Sequence, residues 1–400
     1  MDERLRAVVA IPVRDEAERI ETCLLALAAQ RDARGLPLPQ DACGIVLLLN
    51  NCTDGTAAVV RRLQEHLPYR LWTLERRLAD GMAHAGWARK LAMDAAADLL
   101  ADRGVGRSGV ILTTDADGRV GGRWLAANLG AIVAGADLVA GLVRAERAEH
   151  ARLPDAVIRR GRMESRYEWL LAELQARLDP QPHDPWPCHR IASGASLAVT
   201  LATYRDVGGL PPDPVGEDRA FAARIARRDG RVRHSLAAQV AVSCRLDGRA
   251  VGGMAATIRE RALRPEIACD PALEPVANLI RRARWRVLLR RWHRQRPRTL
   301  ALGRVAELAL SRSALAAALA HEHFGEAWAA IERASPALAF HPLRPRELPD
   351  QIELAEGLLA GLRGQPRRAA PPALGGMVRP ADRAIAPADR EQREPLAETV

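Results

Sequence analysis

Short apolar runs separated by segments of helical periodicity constrain the fold of this chain more than any other feature. The runs are rich in strand-forming residues and cover Ala7–Val13, Gly44–Leu49, Arg70–Leu74 and Val110–Thr114. Strands that alternate with helices predict a mostly parallel sheet. Because the runs are apolar at consecutive positions, helices should cover both faces of that sheet. Ligands of such sheets collect beyond the carboxyl ends of the strands, where Pro12, Asn50 and Asp115 lie.

The chain of 400 residues is long enough for one large domain with an appendage. The pattern predicts an α/β domain over residues 1–254 and a helical, arginine-rich extension over residues 255–363. Residues 364–400 are rich in Pro, Ala, Arg and Asp without periodicity, which is typical of a disordered tail. An Arg/Glu-rich helical segment, Asp155 to Leu178, is read as an insertion or an acceptor-side element.

The charge of +10 comes almost wholly from arginine, since Lys90 is the only lysine. Aromatic residues are not interleaved with the basic ones, so we expect no nucleic-acid partner. The charged start, Met1 to Ala7, does not resemble a signal peptide, and no run of about 18 apolar residues is present. The six cysteines lack C-x-x-C spacing and fit reduced thiols. We therefore expect a cytoplasmic protein.

Two aspartates, Asp115 and Asp117, follow the fourth apolar run directly. In an extended backbone, residues i and i+2 point the same way, so both carboxylates would face one cleft. Mg²⁺ and Mn²⁺ take one or two carboxylates and complete their coordination with water and substrate phosphates. The pair therefore predicts a metal site for a diphosphate ligand. The competing interpretation is a chance D-x-D in an ordinary Asp-Gly turn.

The spacing of several motifs resembles glycosyltransferase family 2, whose members have the GT-A fold, a Rossmann-like sheet flanked by helices. The resemblance spans Val8 to Gly253. The matching segments, in chain order, read AIPVRDEAERIETCL, LLLNNCTDGTA, AGWARKLAMDAA, TTDADG, SGASLAVTLATYRDVGGL, GEDRAFAARIARRDG and AVSCRLDGRAVGG. The resemblance implies an inverting enzyme that transfers one sugar from a nucleoside-diphosphate sugar to an acceptor hydroxyl, with Mn²⁺ or Mg²⁺ as cofactor.

The resemblance assigns the donor and the metal to the ends of the first strands and to two arginines near Gly253. The donor-binding residues that it implies are Pro12, Val13, Arg14, Glu16, Asn50, Asp54, Arg89, Lys90, Asp115, Arg245 and Arg249. By the same analogy Asp117, with Asp115, holds the metal. Asn50 replaces the family's base-contacting aspartate, so uridine is not assumed. A third metal ligand, often histidine in the family, would fall where Ser243 and Cys244 stand.

On the acceptor side the resemblance implies contacts from Ser193, Gly194 and Ala195, whose small side chains let donor and acceptor approach closely. Tight packing alone would explain them equally well. Asp218 is the predicted general base and Glu217 supports it, because transfer needs the acceptor hydroxyl to lose its proton. The competing interpretation is that both acids complement the dipole of the helix that follows.

Two other functions stay open at the level of sequence: a sugar nucleotidyltransferase, and a binding protein that has lost the chemistry. The first is disfavoured because no glycine-rich phosphate loop follows the first strand. The acceptor is not identified, and both a lipid-linked molecule and a small metabolite fit. The basic amphipathic segment around Val276 to Val287 would pack on the catalytic domain or a second protomer, or contact the inner membrane face peripherally.

Overall fold

The computed structural model describes residues 6–40, 42–249, 252–295 and 306–364. The predicted disordered tail, residues 364–400, lies outside the described residues except for Gly364.

Eight strands form one sheet. They are β1 (Ala7–Val13), β2 (Gly44–Asn50), β3 (Arg70–Arg76), β4 (Val110–Thr113), β5 (Arg119–Val120), β6 (Leu138–Ala145), β7 (Leu197–Thr200) and β8 (Val232–Val242). The first four coincide, within two residues, with the four apolar runs. Their order across the sheet is β3-β2-β1-β4-β7-β6-β8-β5.

The sheet is parallel in its first half and mixed in its second. β1 pairs in parallel with β2 and β4, and β2 pairs in parallel with β3. β7 then runs antiparallel between β4 and β6, and β5 runs antiparallel to β8, whereas β6 and β8 are parallel. The predicted parallel arrangement is thus found from β3 to β4. Because β7 pairs with β4, residues 193–196 lie next to the carboxyl end of β4.

Helices cover both faces of the sheet and continue after it. They are α1 (Ile20–Ala28), α2 (Thr56–Gln64), α3 (Ala85–Asp102), α4 (Trp124–Val133), α5 (Arg147–His150), α6 (Asp155–Leu178), α7 (Leu201–Asp206), α8 (Glu217–Arg227), α9 (Met254–Leu263), α10 (Val276–Gln295), α11 (Arg312–Leu319), α12 (Phe324–Ala334) and α13 (Leu348–Arg363). Across the described ranges, we find no helix with the length and apolarity needed to cross a bilayer.

Alternate residues of the strands feed two separate apolar layers, as the period of two requires. Val9 and Ile11 of β1 pack in the layer that contains α1, α2 and α4. Val8 and Ala10 pack in the opposite layer, with α3, α7 and α8. The predicted α/β class, with helices on both faces and a helical extension, is confirmed.

The helical extension has two apolar clusters of its own. The first joins α6 to α10 and α13 through Tyr167, Leu279 and Leu359. The second joins α10 to α11 and α12. The segment Asp155–Leu178, which the sequence suggested to be an insertion or an acceptor-side element, is thus a single helix packed against the C-terminal helices. The domain boundary at 254 stays a prediction.

Candidate active site

The turns after β1 and β2 are held together by reciprocal carboxylate bonds. Asp15, in the left-handed region with a φ of 52°, accepts the N–H of Thr53 at 2.7 Å. Asp54 in turn accepts the N–H groups of Ala17 at 3.1 Å and Thr56 at 3.0 Å. Backbone N–H groups bonded in this way fix a loop without an apolar core. The predicted donor residue Asp54 therefore serves the loop, and its donor contact stays a prediction.

A third loop joins this end of the sheet. Asn51, also left-handed with a φ of 53°, donates to the carbonyl of Leu78 at 2.9 Å and accepts its N–H at 3.0 Å. Arg14 donates to the carbonyl of Ala83 at 2.8 Å. Asn50 itself is buried at the end of β2. The turns after β1, β2 and β3 thus form one rigid edge beside the predicted donor residues Pro12, Val13 and Arg14.

Arg89 of α3 is the centre of a buried polar network, with 4% of its surface exposed. Its Nη2 donates to Asp115 Oδ1 at 2.6 Å, and its Nε donates to Glu217 Oε1 at 3.2 Å. Its Nη1 donates to Thr113 Oγ1 at 3.0 Å and to the carbonyl of Gly194 at 2.8 Å. The guanidinium thus connects the carboxyl end of β4 with the small-residue segment before β7 and with the start of α8.

The electrostatics of this network are those of a buried cation between acids. Burial alone would lower the pKa of Arg89, but the negative charges of Asp115 and Glu217 raise it. Burial raises the pKa of Glu217, and the charge of Arg89 opposes that shift. The guanidinium of Arg89 donates to four protein acceptors. The contact of Arg89 with a donor phosphate, expected from the sequence, stays a prediction.

Gly194 allows this approach because it has no side chain. A Cβ at this position would lie 2.5 Å from Cζ and 2.6 Å from Nε of Arg89. Its N–H donates to Asp218 Oδ2 at 2.8 Å, while Asp218 Oδ1 accepts the N–H of Arg219 at 2.7 Å. The predicted acceptor residue Gly194 and the predicted base Asp218 are therefore in direct contact. The start of α8 is half-buried at Asp218 and buried at Glu217.

Asp115 and Asp117 lie in a turn rather than on extended backbone, which corrects the geometry expected from the sequence. β4 ends at Thr113, and the N–H of Gly118 donates to the carbonyl of Asp115 at 3.0 Å. The two carboxylates accordingly form ion pairs with different arginines. Asp115 pairs with Arg89, whereas Asp117 Oδ2 lies 3.3 Å from Nη2 of Arg245.

A second ion cluster surrounds Asp117. Arg245 donates through both terminal nitrogens to Glu16, with Nη1 at 2.8 Å from Oε2, and Arg249 Nη1 lies 3.5 Å from Glu16 Oε1. Burial raises the pKa of Asp117 to about 6, the charges of Asp115 and Glu16 add to the shift, and Arg245 opposes it. Burial and the neighbouring acids therefore oppose the arginines in setting the pKa of Asp117.

The donor set fits a hard divalent cation. Asp115 contacts Arg89 through Oδ1, and Asp117 contacts Arg245 through Oδ2. The second oxygen of each carboxylate is therefore available to a cation. Two carboxylates are the protein ligands that Mg²⁺ or Mn²⁺ commonly takes when phosphates and water supply the others. Within the described ranges, no group of three or more His, Cys, Asp or Glu side chains could hold a metal. A cation at Asp115 and Asp117 would thus depend on its ligand for the remaining bonds.

Glu149, in the short helix α5, was not among the site residues predicted from the sequence. Its carboxylate accepts Arg19 Nη1 at 2.6 Å, Ser243 Oγ at 2.8 Å and the N–H of Cys244 at 2.7 Å. Burial alone would raise its pKa, but these bonds hold the pKa of Glu149 below its ordinary value. The positions where a third metal ligand was considered, Ser243 and Cys244, are therefore engaged by Glu149.

A cleft of about 240 Å³ opens beside Asp117 on the side of α1. Arg19, Arg119 and the hydroxyl-bearing Ser243 also line it. The cleft is smaller than the roughly 300–1,000 Å³ of a complete small-molecule site. Two further acids, Glu18 and Glu146, also line it, so its lining is of mixed charge.

Lys90 is not part of either cluster. Its Nζ lies 2.9 Å from Asp94 Oδ2 in an i,i+4 ion pair of α3. Neighbouring residues of a helix point about 100° apart, so the helix that buries Arg89 turns Lys90 towards another side. The contact of Lys90 with a phosphate stays a prediction.

Ser193 and Ala195 flank Gly194 and are brought to the site with it.

No protein-family model matches the sequence, and no curated protein matches it significantly. Among solved structures, TarS 1–349 of S. aureus in complex with UDP-GlcNAc is 16% identical, with a TM-score of 0.41, over 61% of this chain and 60% of that one. Mannosyltransferase PcManGT from Pyrobaculum calidifontis, in complex with GDP-Man and Mn²⁺, is 18% identical, with a TM-score of 0.42, over 83% and 87%. Glucosyl-3-phosphoglycerate synthase from Mycobacterium tuberculosis, with Mn²⁺, UDP and phosphoglyceric acid, is 16% identical, with a TM-score of 0.35, over 65% and 78%. At these identities and TM-scores the likenesses carry no argument about the activity of this chain.

Proposed function

We propose that this chain is an inverting glycosyltransferase of family 2, with the GT-A fold, that moves a single sugar from a nucleoside-diphosphate sugar to an acceptor hydroxyl. One observation carries the proposal. Arg89 connects Asp115, at the end of β4, with Gly194 and Glu217, while Arg245 connects Asp117 with Glu16. Groups suited to bind a metal diphosphate and a group suited to remove a proton thus belong to two ion clusters that the turn from Asp115 to Asp117 joins.

In this proposal the donor lies along the ends of β1, β2 and β4. The nucleoside occupies the edge formed by the turns after β1, β2 and β3, beside Asn50 and Arg14. Arg245 and Arg249 bind the diphosphate, because guanidinium groups form paired bonds to phosphate oxygens. Both arginines already lie within ion-pair distance of Glu16, which holds them at the site.

The proposed cofactor is Mn²⁺ or Mg²⁺, held by Asp115 and Asp117. When bound, it supplies positive charge that stabilises the departing diphosphate. Asp115 and Asp117 lie in one turn directly after β4, and each has a carboxylate oxygen that no arginine uses, which supports this assignment.

The transfer step needs one base. As the acceptor oxygen forms its bond to the anomeric carbon, the bond from that carbon to the diphosphate breaks on the opposite face, and the acceptor proton moves to Asp218. Gly194 N–H and Arg219 N–H each occupy one oxygen of Asp218 and orient it. A carboxylate oxygen has a second lone pair, so Asp218 can still accept the hydroxyl. Glu217 holds Arg89, and the small residues Ser193 to Ala195 leave room for the acceptor.

The proposal extends to the organisation of the chain. Residues 1–254 form the catalytic domain and residues 255–363 a helical extension, and the protein acts in the cytoplasm. The acceptor is a lipid-linked molecule or a small metabolite, and the extension is the surface for a second protomer or for peripheral contact with the inner membrane face.

Thermal unfolding with a panel of UDP, GDP, ADP and TDP sugars, each with Mn²⁺ or Mg²⁺, tests the proposal. We expect one nucleotide class to raise the Tm in a metal-dependent way, because a ligand that binds only the native state stabilises it. The shift should disappear in Asp117→Ala and persist in the control Asp206→Ala, whose exposed carboxylate pairs with Arg107. If nucleoside triphosphates rather than sugar donors stabilise the protein and release pyrophosphate, the chain is a nucleotidyltransferase. Stabilisation by a donor that is never consumed would instead indicate a binding protein.

A further inference from the structure

Helix α8 connects the proposed active site with the helical extension. Its first residues, Glu217 and Asp218, contact Arg89 and Gly194. Its eleven residues span about 16 Å at 1.5 Å per residue, and the chain then turns at Asp229. The far end of α8 therefore lies outside the site, where its contacts are available to another element.

That element is α12 of the extension. Asp229 accepts the N–H groups of Phe324 and Gly325, each at 2.8 Å, through separate carboxylate oxygens. These are the first two residues of α12, so a residue of the α8 turn caps a helix that lies 95 residues further along the chain. Asp229 is held in the left-handed region with a φ of 57°, which an L-residue adopts at some cost.

The two helices also meet backbone to backbone. A Cβ on Gly325 would lie 2.1 Å from the carbonyl oxygen of Ala226 and 2.7 Å from Cα of Arg227, both in the last turn of α8. Only glycine fits this contact, because any side chain would displace one helix from the other.

α12 is firmly anchored on its other side. Phe324, Trp328 and Ile331 pack with Trp285 and Leu289 of α10 in a buried apolar cluster. The guanidinium of Arg290 lies 5.1 Å from the ring centroid of Phe324. The contact with α8 is thus made by a helix that the extension holds in place.

We propose that Asp229 and Gly325 are positioning residues, through which the helical extension fixes α8 and so places Asp218 against Gly194. The catalytic consequence rests on the proposed function, whereas the placement of Asp218 does not. Positioning matters because a general base must lie within hydrogen-bond reach of the proton that it removes. The extension then contributes to catalysis without touching a substrate.

The test uses the full chain with Asp229→Gly, because glycine relieves the left-handed backbone and removes the two acceptors, together with the 3.7 Å contact between Asp229 Oδ2 and His323 Nδ1. The matched control is Ser311→Gly, which removes the cap of α11, where Ser311 Oγ accepts the N–H of Ala314 at 3.1 Å. Ser311→Gly weakens another helix of the same extension but leaves the contact between α8 and α12 unchanged. A second variant, Gly325→Ala, forces the helices apart without changing a polar group.

Hydrogen exchange of the Gly194 amide is the readout, since this N–H donates to Asp218. We expect exchange at least about 5-fold faster than wild type in Asp229→Gly and Gly325→Ala, and unchanged exchange in Ser311→Gly. With a donor that is turned over, kcat should fall by about 5-fold in both variants while KM for the donor changes less than about 2-fold.

Unchanged Gly194 exchange in both variants would overturn the proposal, whatever the activity. Equal acceleration in Ser311→Gly would also overturn it, because the effect would then reflect the general stability of the extension. If the wild type turns over no donor but the exchange follows the expected pattern, the placement of Asp218 by the extension stands and the proposed function fails.

Discussion

Replacement of Arg89 by methionine tests the network that joins the two halves of the site. Methionine replaces the apolar stem of arginine and removes the cation. Four hydrogen bonds are lost, and Glu217, with 7% of its surface exposed, keeps its charge without a partner. Removing one partner of a buried ion pair costs about 3–5 kcal/mol, and we expect the free energy of unfolding to fall by this amount.

Lys90→Met is the matched control, one residue along the same helix. Its half-exposed ion pair with Asp94 should contribute only about 0.2–0.5 kcal/mol. Urea denaturation of wild type and both variants measures the difference directly from the midpoint and the slope.

The pH dependence follows from Glu217. Burial already raises its pKa and Arg89 opposes that shift, so Arg89→Met should raise the pKa further. A carboxylate whose pKa is higher in the folded state destabilises the fold as the pH rises from the unfolded to the folded pKa. The decrease in the free energy of unfolding caused by Arg89→Met should therefore be larger at pH 8 than at pH 5. A decrease below about 1 kcal/mol, or one equal to the decrease in Lys90→Met, would refute the central role of Arg89.

Three further outcomes are expected. Asp218→Asn should retain donor binding and lower kcat by about 10²–10⁴, measured by release of nucleoside diphosphate; unchanged kcat would exclude Asp218 as the base. Gly141→Ala should destabilise the protein by about 1–3 kcal/mol in urea, because its Cβ would lie 2.2 Å from the carbonyl oxygen of Ala238; a neutral effect would show that β6 and β8 can separate there. Glu173→Gln should lower stability by about 1–2 kcal/mol at pH 7, since the bond from Arg363 holds the pKa of Glu173 below its ordinary value. Stability from a lowered pKa is present above the unfolded pKa and is lost as the pH falls through the folded pKa. The denaturation midpoints of wild type and Glu173→Gln should therefore converge as the pH falls through the lowered pKa of Glu173; a constant gap would contradict the assignment.

The first half of the sheet was predictable chiefly because β1, β2 and β4 are continuous apolar runs. β1 has the predicted bounds Ala7–Val13, and Asp115 follows β4 as expected. The antiparallel course of β7 was not predictable, because strand direction depends on how the long segment from Ala145 to Leu197 returns to the sheet. That segment contains α6, whose apolar face packs on helices from the far end of the chain.

The composition of the site was predictable in part, from local motifs. The sequence indicated Arg89, Gly194 and Glu217 separately, but the bonds between them join residues 105 and 128 positions apart. Asn51 and Glu149 were missed because each acts on backbone groups of a distant loop. No local sequence pattern predicts a contact between a polar side chain and a distant loop, so only the folded structure shows it.

Product analysis with the stabilising nucleotide sugar is the decisive test of the proposed sugar transfer. We expect metal-dependent release of nucleoside diphosphate, one molecule for each sugar transferred, and loss of this release in Asp117→Ala although the protein remains folded. Binding of the sugar donor without release of any diphosphate, across acceptors that include both lipid-linked and small molecules, would contradict it.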